Sequence, residues 1–242
     1  YISRECRRRR TDVLETRLLL ESAIFLTGPR AAELFYDTER FTREGAAPEP
    51  LRATLFGEGG VQTLDGSAHR HRKALFMSLM TPESIRALAR RVVLGWDMGA
   101  ARWTGNGGRE VVLYDAIHEL LARAVCEWAG VPLREEEVPE RTHDLVEMFD
   151  EAGAKGIGHV RSRLARRRAE QWIEGVIGQA RAGALDLDRD SAAWRIAMHR
   201  DLDGRPLEAR TAAVELINVL RPTVAVSVYV VPPAHALHEH PA

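Results

Sequence analysis

A chain of 242 residues, 45% of them hydrophobic, holds enough apolar side chains to bury a full core as one large domain or two small ones. Its 34 Lys and Arg stand against 35 Asp and Glu, a formal net charge of -1, so no global field draws it to nucleic acid or an anionic membrane. The two cysteines, Cys6 and Cys126, are far apart in unlike surroundings, which points to neither a disulfide framework nor a zinc pair and suits a reducing cytoplasm.

In chain order, Glu21 to Thr27, "ESAIFLT", reads as a short β-prone run stopped by Gly28-Pro29, and "RAAELFYD" behind it carries apolar residues at helical spacing. From Arg40 to Asp65 Gly and Pro are frequent and no period survives, so the stretch reads as a long loop, a place where function often sits. "GEGG" at 57–60 lacks the Gly-Lys-Ser/Thr of a phosphate loop and reads as a turn. A helix is expected over 67–80, and Thr81-Pro82-Glu83 supplies an N-cap, a first-position proline and a first-turn acid for the next one. "YDAIHELLARAVCEWAG" is an amphipathic helix with Ile117, Leu120, Leu121, Ala124, Val125 and Trp128 on one face and Gly130 closing it. Further helices are expected over 140–151, 160–182 and 208–231, with connections over Gly105 to Gly108 and Asp186 to Pro206. The fold class is mainly α with a small β element near the start.

The most apolar run, Leu216 to Val231, falls short of the roughly 20 residues a spanning helix needs and contains Asn218 and Arg221, so it reads as a buried core element and not a membrane span. On a helix the same-face neighbours of Arg221 are Ile217, Asn218, Val224 and Ala225, none of them an acid. A buried guanidinium needs an anion, and either a carboxylate from another segment or an anionic ligand supplies it. Pro222 lacks an N–H and is expected to open the helix at the Asn218 carbonyl. His69 and Lys73 stand one turn apart, two donors suited to a carboxylate or phosphate, or else part of a solvated basic face with Arg70 and Arg72. The tail "HALHEHP" holds His235, His238 and His240 at a spacing that matches no zinc motif and reads as exposed histidines at a helix end, so no metal ligand is assigned. "RSRLARRRAEQW", with Glu170 and Glu174 nearby, reads as a surface helix.

"HRHRKALF", "VQTLDGSAH", "ELINVLRPTVAV" and "HALHEHP" resemble the fatty-acid peroxygenases, the peroxide-using fatty-acid hydroxylases of the cytochrome P450 superfamily, from about Ala23 to Pro241. The resemblance implies that residues 1–242 are the amino-terminal portion of a single haem-thiolate domain, ending just after a long central helix at about 208–231. It implies haem b as cofactor, a long-chain fatty acid and hydrogen peroxide as partners and no redox partner, beside the absence of a nucleic-acid partner expected from the charge and the cytoplasmic location expected from the cysteines. Ordinary superfamily members carry an acid-alcohol pair where Arg221-Pro222 stands here. By the same resemblance Arg221 grips the substrate carboxylate, Pro222 shapes the helix over the haem, and the carboxylate itself does the general acid/base work on peroxide. An anchored head group then places hydroxylation at the α or β carbon. Gln62 matches a residue of the polar network on that side, His69 and Lys73 match positions that contact haem propionates, and Leu55, Phe56 and Phe149 match positions lining the acyl tunnel.

Two features depart from the family. Its axial cysteine lies well beyond the central helix, and neither Cys6 nor Cys126 aligns with it, so the 242 residues alone are expected to be inactive. Pro232-Pro233 is expected to break the central helix early. Two other readings are a carboxylate- or fatty-acid-binding module in which Arg221 holds the ligand and no metal enters, and an inactive truncated cytochrome P450 without its axial cysteine. A membrane-anchored monooxygenase is a further alternative.

Overall fold

The computed structural model describes residues 1–18, 21–37, 39–105, 110–152, 154 and 156–240, which divide into two compact units, Tyr1–Ala46 and Ala47–Ala242. The first unit opens with helix α1 (Ile2–Arg9), followed by an antiparallel hairpin of β1 (Val13–Leu18) and β2 (Glu21–Leu26) and by helix α2 (Pro29–Phe35). Pairing runs from Val13 with Leu26 to Leu18 with Glu21, and α1 packs on β1, with Cys6 and Leu14 buried. The expected strand and helix are β2 and α2. Neither α1 nor β1 was anticipated, because "ISRECRRR" has too few apolar residues to show a period and "VLETRL" does not alternate cleanly.

In the second unit, the stretch expected to be a plain loop holds three short turns: α3 (Glu49–Leu51), a π-helical turn Arg52–Phe56 and a 3-10 turn Val61–Thr63. Turns of three to five residues are too short to carry a period, so the sequence does not reveal them. Five longer helices follow: α4 (Gly66–Leu79), α5 (Pro82–Gly105), α6 (Leu113–Ala129), α7 (Val138–Asp150) and α8 (Ile157–Arg181). Thr81 caps α5 as expected, its Oγ1 accepting from the Ser84 N–H at 3.2 Å. Gly130 closes α6 at φ 75, where its N–H and that of Val131 bond to the Glu127 and Cys126 carbonyls at 3.3 and 2.8 Å. The expected connection after Gly105 falls on 106–108, outside the described residues. The one expected over Asp186 to Pro206 contains helix α9 (Ala192–Ala197), capped by Ser191 Oγ accepting from the Trp194 N–H at 3.2 Å.

The central helix α10 (Ala209–Val224) is buried continuously from Ala212 to Arg221 and packs against α6, α7, α8 and α9. A helix surrounded on all sides needs apolar residues on every face, which is why this run is the most hydrophobic of the chain. It ends earlier than expected. The helix runs through Pro222 without opening at Asn218, and the break comes at Ala225 and Val226, where the Val226 N–H bonds to the Thr223 carbonyl at 3.2 Å in 3-10 spacing. The chain then resumes as α11 (Ser227–Glu239), which passes through Pro232 and Pro233 instead of stopping before them. Those prolines free the carbonyls of Val228 and Tyr229, both of them exposed residues. Taken together, Ala209–Glu239 is long and apolar enough to cross a membrane by length and composition. More than half of its most apolar window is buried inside the protein, and α10 carries Glu215, Asn218 and Arg221 into that interior, which marks a core helix.

Candidate active site on the central helix

Arg221 is only 8% exposed, its Nε is buried without a hydrogen-bond partner, and it makes no ion pair among the described residues. Burial pushes its pKa down to about 10, and the like charge of Arg166 pushes the same way. Among the described residues this buried cation therefore meets no anion.

One turn earlier on the same face, Asn218 Nδ2 donates to Gln62 Oε1 at 3.2 Å and to the Phe56 carbonyl at 3.1 Å, while Asn218 Oδ1 is buried without a partner. The approach depends on Gly60. A Cβ there would lie 2.9 Å from Gln62 Oε1 and 3.1 Å from Asn218 Nδ2, so a side chain would push the two amides apart. Gln62, the Phe56 carbonyl and Asn218 are thus joined by hydrogen bonds, and Arg221 follows one turn on along the same helix. The sequence reading named Asn218 only as a same-face neighbour of Arg221 and did not foresee its contact with Gln62, which depends on tertiary packing.

Leu55 and Phe56 occupy the π-helical turn, and Arg166 holds their carbonyls, Nη1 to Leu55 at 3.1 Å and Nη2 to Phe56 at 3.5 Å. Its Nε pairs with Glu170 Oε1 at 2.7 Å, and Arg166 is 2% exposed. The surface reading of "RSRLARRRAEQW" is thereby corrected. One arginine and one acid of that run turn inward, four residues apart, and the charge density around them hid it in the sequence. Phe149, on α7, packs against the core and meets the His118 ring edge-on at 5.8 Å; α7 itself packs against both α10 and the π-helical turn.

Helix α4 places His69 half-buried and Lys73 exposed. Arg72, assigned from sequence to a solvated face, is instead buried between Glu215 Oε1 at 2.8 Å and Asp201 at 2.7 Å. Desolvation raises the Glu215 pKa, and Arg72 opposes that rise. A groove of about 770 Å3 lies elsewhere, between α5 and α6, and contains none of the predicted site residues. That groove is open and lined by solvated charges such as Arg91 and Glu127.

His69 and Lys73 fit the carboxylate edge of a haem, two donors one turn apart on one helix. Neither cysteine fits as its axial ligand. Cys126 is packed in the apolar core and burial pushes its thiol up to about 12, whereas a ligand must be a thiolate; Cys6 is buried in the other compact unit. His235 and His238 lie exposed near the end of α11, as expected.

No family model matches the chain. Solved structures do. Cytochrome P450SP alpha (CYP152B1) in complex with (R)-ibuprofen is similar at TM-score 0.92 and 50% identity over 98% of this chain and 58% of that one. Cytochrome P450EX alpha (CYP152N1) with myristic acid is similar at TM-score 0.91 and 44% identity over 100% of this chain and 57% of that one. Ligand-free cytochrome P450 OleT matches at TM-score 0.93 and 33% identity, again over 100% of this chain and 58% of that one. The chain therefore spans rather more than half the length of these proteins. It is an amino-terminal portion of the cytochrome P450 fold and belongs to the CYP152 family of fatty-acid peroxygenases.

Proposed function

We propose that the full-length protein hydroxylates long-chain fatty acids at the α or β carbon with hydrogen peroxide, and that Arg221 anchors the substrate carboxylate. One observation carries this reading: a buried arginine with no anion among the described residues, on the central helix of a cytochrome P450 fold. Two of the similar structures hold carboxylic acids, (R)-ibuprofen and myristic acid, which agrees with a site that wants a carboxylate.

Bound haem, ligated from outside these 242 residues, supplies the oxygen-transfer chemistry. This chain's residues do the rest. Arg221 fixes the head group by charge-assisted hydrogen bonds, strengthened by the dry surroundings that leave its Nε unpaired. Held there, the substrate carboxylate accepts a proton from peroxide and returns it to the departing water, work that neither Arg221 nor Pro222 can do. The Asn218–Gln62 pair fixes the wall of the site beside Arg221, and Pro222 sits just before the end of the helix. Leu55, Phe56 and Phe149 offer apolar surface to the alkyl chain, and His69 and Lys73 hold the haem propionates. The balance is simple: one C–H becomes C–OH, one peroxide becomes water, and the two electrons leaving the carbon reduce the O–O bond. No NADPH or reductase enters.

The test uses the haem-loaded full-length protein, hydrogen peroxide and a long-chain saturated acid, with products analysed by mass spectrometry. Hydroxylation at the α or β carbon, lost in Arg221→Ala, is the expected result. A carboxylate-binding module would share Arg221 but give no product, and unchanged turnover in Arg221→Ala would remove the anchor.

A further inference from the structure

We propose that His71, His199 and Asp201 form a second site, for a divalent transition-metal ion of the zinc class, that clasps helix α4 to the turn after α9. One potential ligand atom from each residue lies within 4.8 Å of the other two. The residues come from segments about 130 positions apart in the chain, so their convergence is a product of the fold.

Each ligand is already oriented by a neighbour. His71 Nε2 lies 2.8 Å from the Arg200 carbonyl, which only accepts, so that nitrogen carries the proton and the other ring nitrogen keeps its lone pair. A histidine that donates one N–H to a backbone carbonyl and offers its second nitrogen is the usual arrangement around a bound metal. The His199 ring lies 4.9 Å from that of His71, centroid to centroid, and its Nε2 is buried with no hydrogen-bond partner. Asp201 is held by Arg72, with both carboxylate oxygens 2.7 Å from Nη2. The turn that carries it is fixed by the Asp201 N–H to the Arg205 carbonyl at 2.9 Å and by the bridge between Arg200 and Pro206.

The charges also suit a cation. Arg72 lies between Asp201 and Glu215, two carboxylates against one guanidinium, so with neutral imidazoles the cluster is net negative. Two imidazoles and a carboxylate, with room for water, are the donors that zinc and copper prefer, whereas calcium and magnesium require mostly oxygen. On a tetrahedral ion the donor atoms sit about 3.4 Å apart, so closure requires a small rotation of the partly exposed Asp201 side chain, which keeps one carboxylate oxygen on Arg72 and turns the other to the ion. The site is remote in role from the carboxylate anchor and does not depend on the proposed activity.

The experiment is equilibrium dialysis of the tag-free, chelator-treated full-length protein against zinc chloride, with bound zinc counted separately from haem iron. One zinc per chain is expected, with an accompanying rise in the unfolding temperature. His71→Ala and His199→Ala should each weaken binding by more than about tenfold, whereas the tail variant His235→Ala/His238→Ala should leave it unchanged. Should either alanine variant fail to fold, Asp201→Asn keeps both imidazoles and should lose affinity to a similar degree. Zinc binding that survives these changes, that disappears with the tail histidines, or that is absent from the wild type would overturn the proposal.

Discussion

Asn218 Nδ2 donates to Gln62 Oε1 at 3.2 Å, tying the central helix to the 3-10 turn one helical turn before a buried arginine that has no anion among the described residues. The contrast between the paired Asn218 Nδ2 and the unpaired Arg221 Nε shapes the expectations below.

An unpaired buried cation costs stability that a ligand must repay. Replacing Arg221 with methionine, which has similar length and no charge, should stabilise the ligand-free protein by about 1–4 kcal/mol while abolishing fatty-acid turnover. Thermal unfolding without substrate measures the first effect and product analysis the second. A loss of stability would mean that Arg221 has an anion within the protein.

Gly57 ends the π-helical turn at φ 81, and a Cβ there would fall 2.0 Å from Arg166 Nη2 and 2.7 Å from Val214 Cγ1. Gly57→Ala should therefore strain the backbone and displace a buried guanidinium at once, costing more than about 2 kcal/mol. Denaturant unfolding reads this directly. A cost below about 0.5 kcal/mol would show that the turn adapts.

Arg72 and Glu215 are a buried pair whose halves depend on each other. Arg72→Met alone leaves the fully buried Glu215 without its counter-charge and should cost about 3–5 kcal/mol, whereas the double variant Arg72→Met/Glu215→Leu should recover most of that loss. A double-mutant cycle on unfolding free energies tests the coupling, and additive losses would contradict it.

His118 is buried between Tyr114 and Phe149, and desolvation lowers its pKa, with Asp150 and Asp115 acting weakly the other way. The unfolded chain thus binds this proton at a higher pH than the folded one does. Stability from a neutral His118 is full above the ordinary histidine value of about 6.5 and falls as the pH drops below it. His118→Phe should flatten the stability profile between about pH 7 and pH 5, measured by unfolding at fixed temperature across that range. An unchanged slope would place the acid sensitivity elsewhere.

Long periodic helices and their caps were legible in the sequence, since Thr81, Gly130 and the apolar steps of α6 each act through local chemistry. So was the oddity of Arg221, because an arginine in the most apolar run has few explanations. Buried charge was not legible. Arg72 and Arg166 each sit among other arginines, and only tertiary packing decides which member of a basic run turns inward. The end of α10 was misplaced for a related reason: proline chemistry identifies a weak point, but the exposed residues one turn before Pro232 and Pro233 let α11 continue where local rules predict a stop.

The most direct test of the account is a titration of the haem-loaded full-length protein with a long-chain fatty acid and with its methyl ester, followed through the haem absorption band, in wild type and Arg221→Ala. The account predicts that wild type prefers the acid over the ester by about 100-fold or more, and that Arg221→Ala binds the two alike. An undiminished preference for the acid in Arg221→Ala would contradict it and move the carboxylate anchor to another residue.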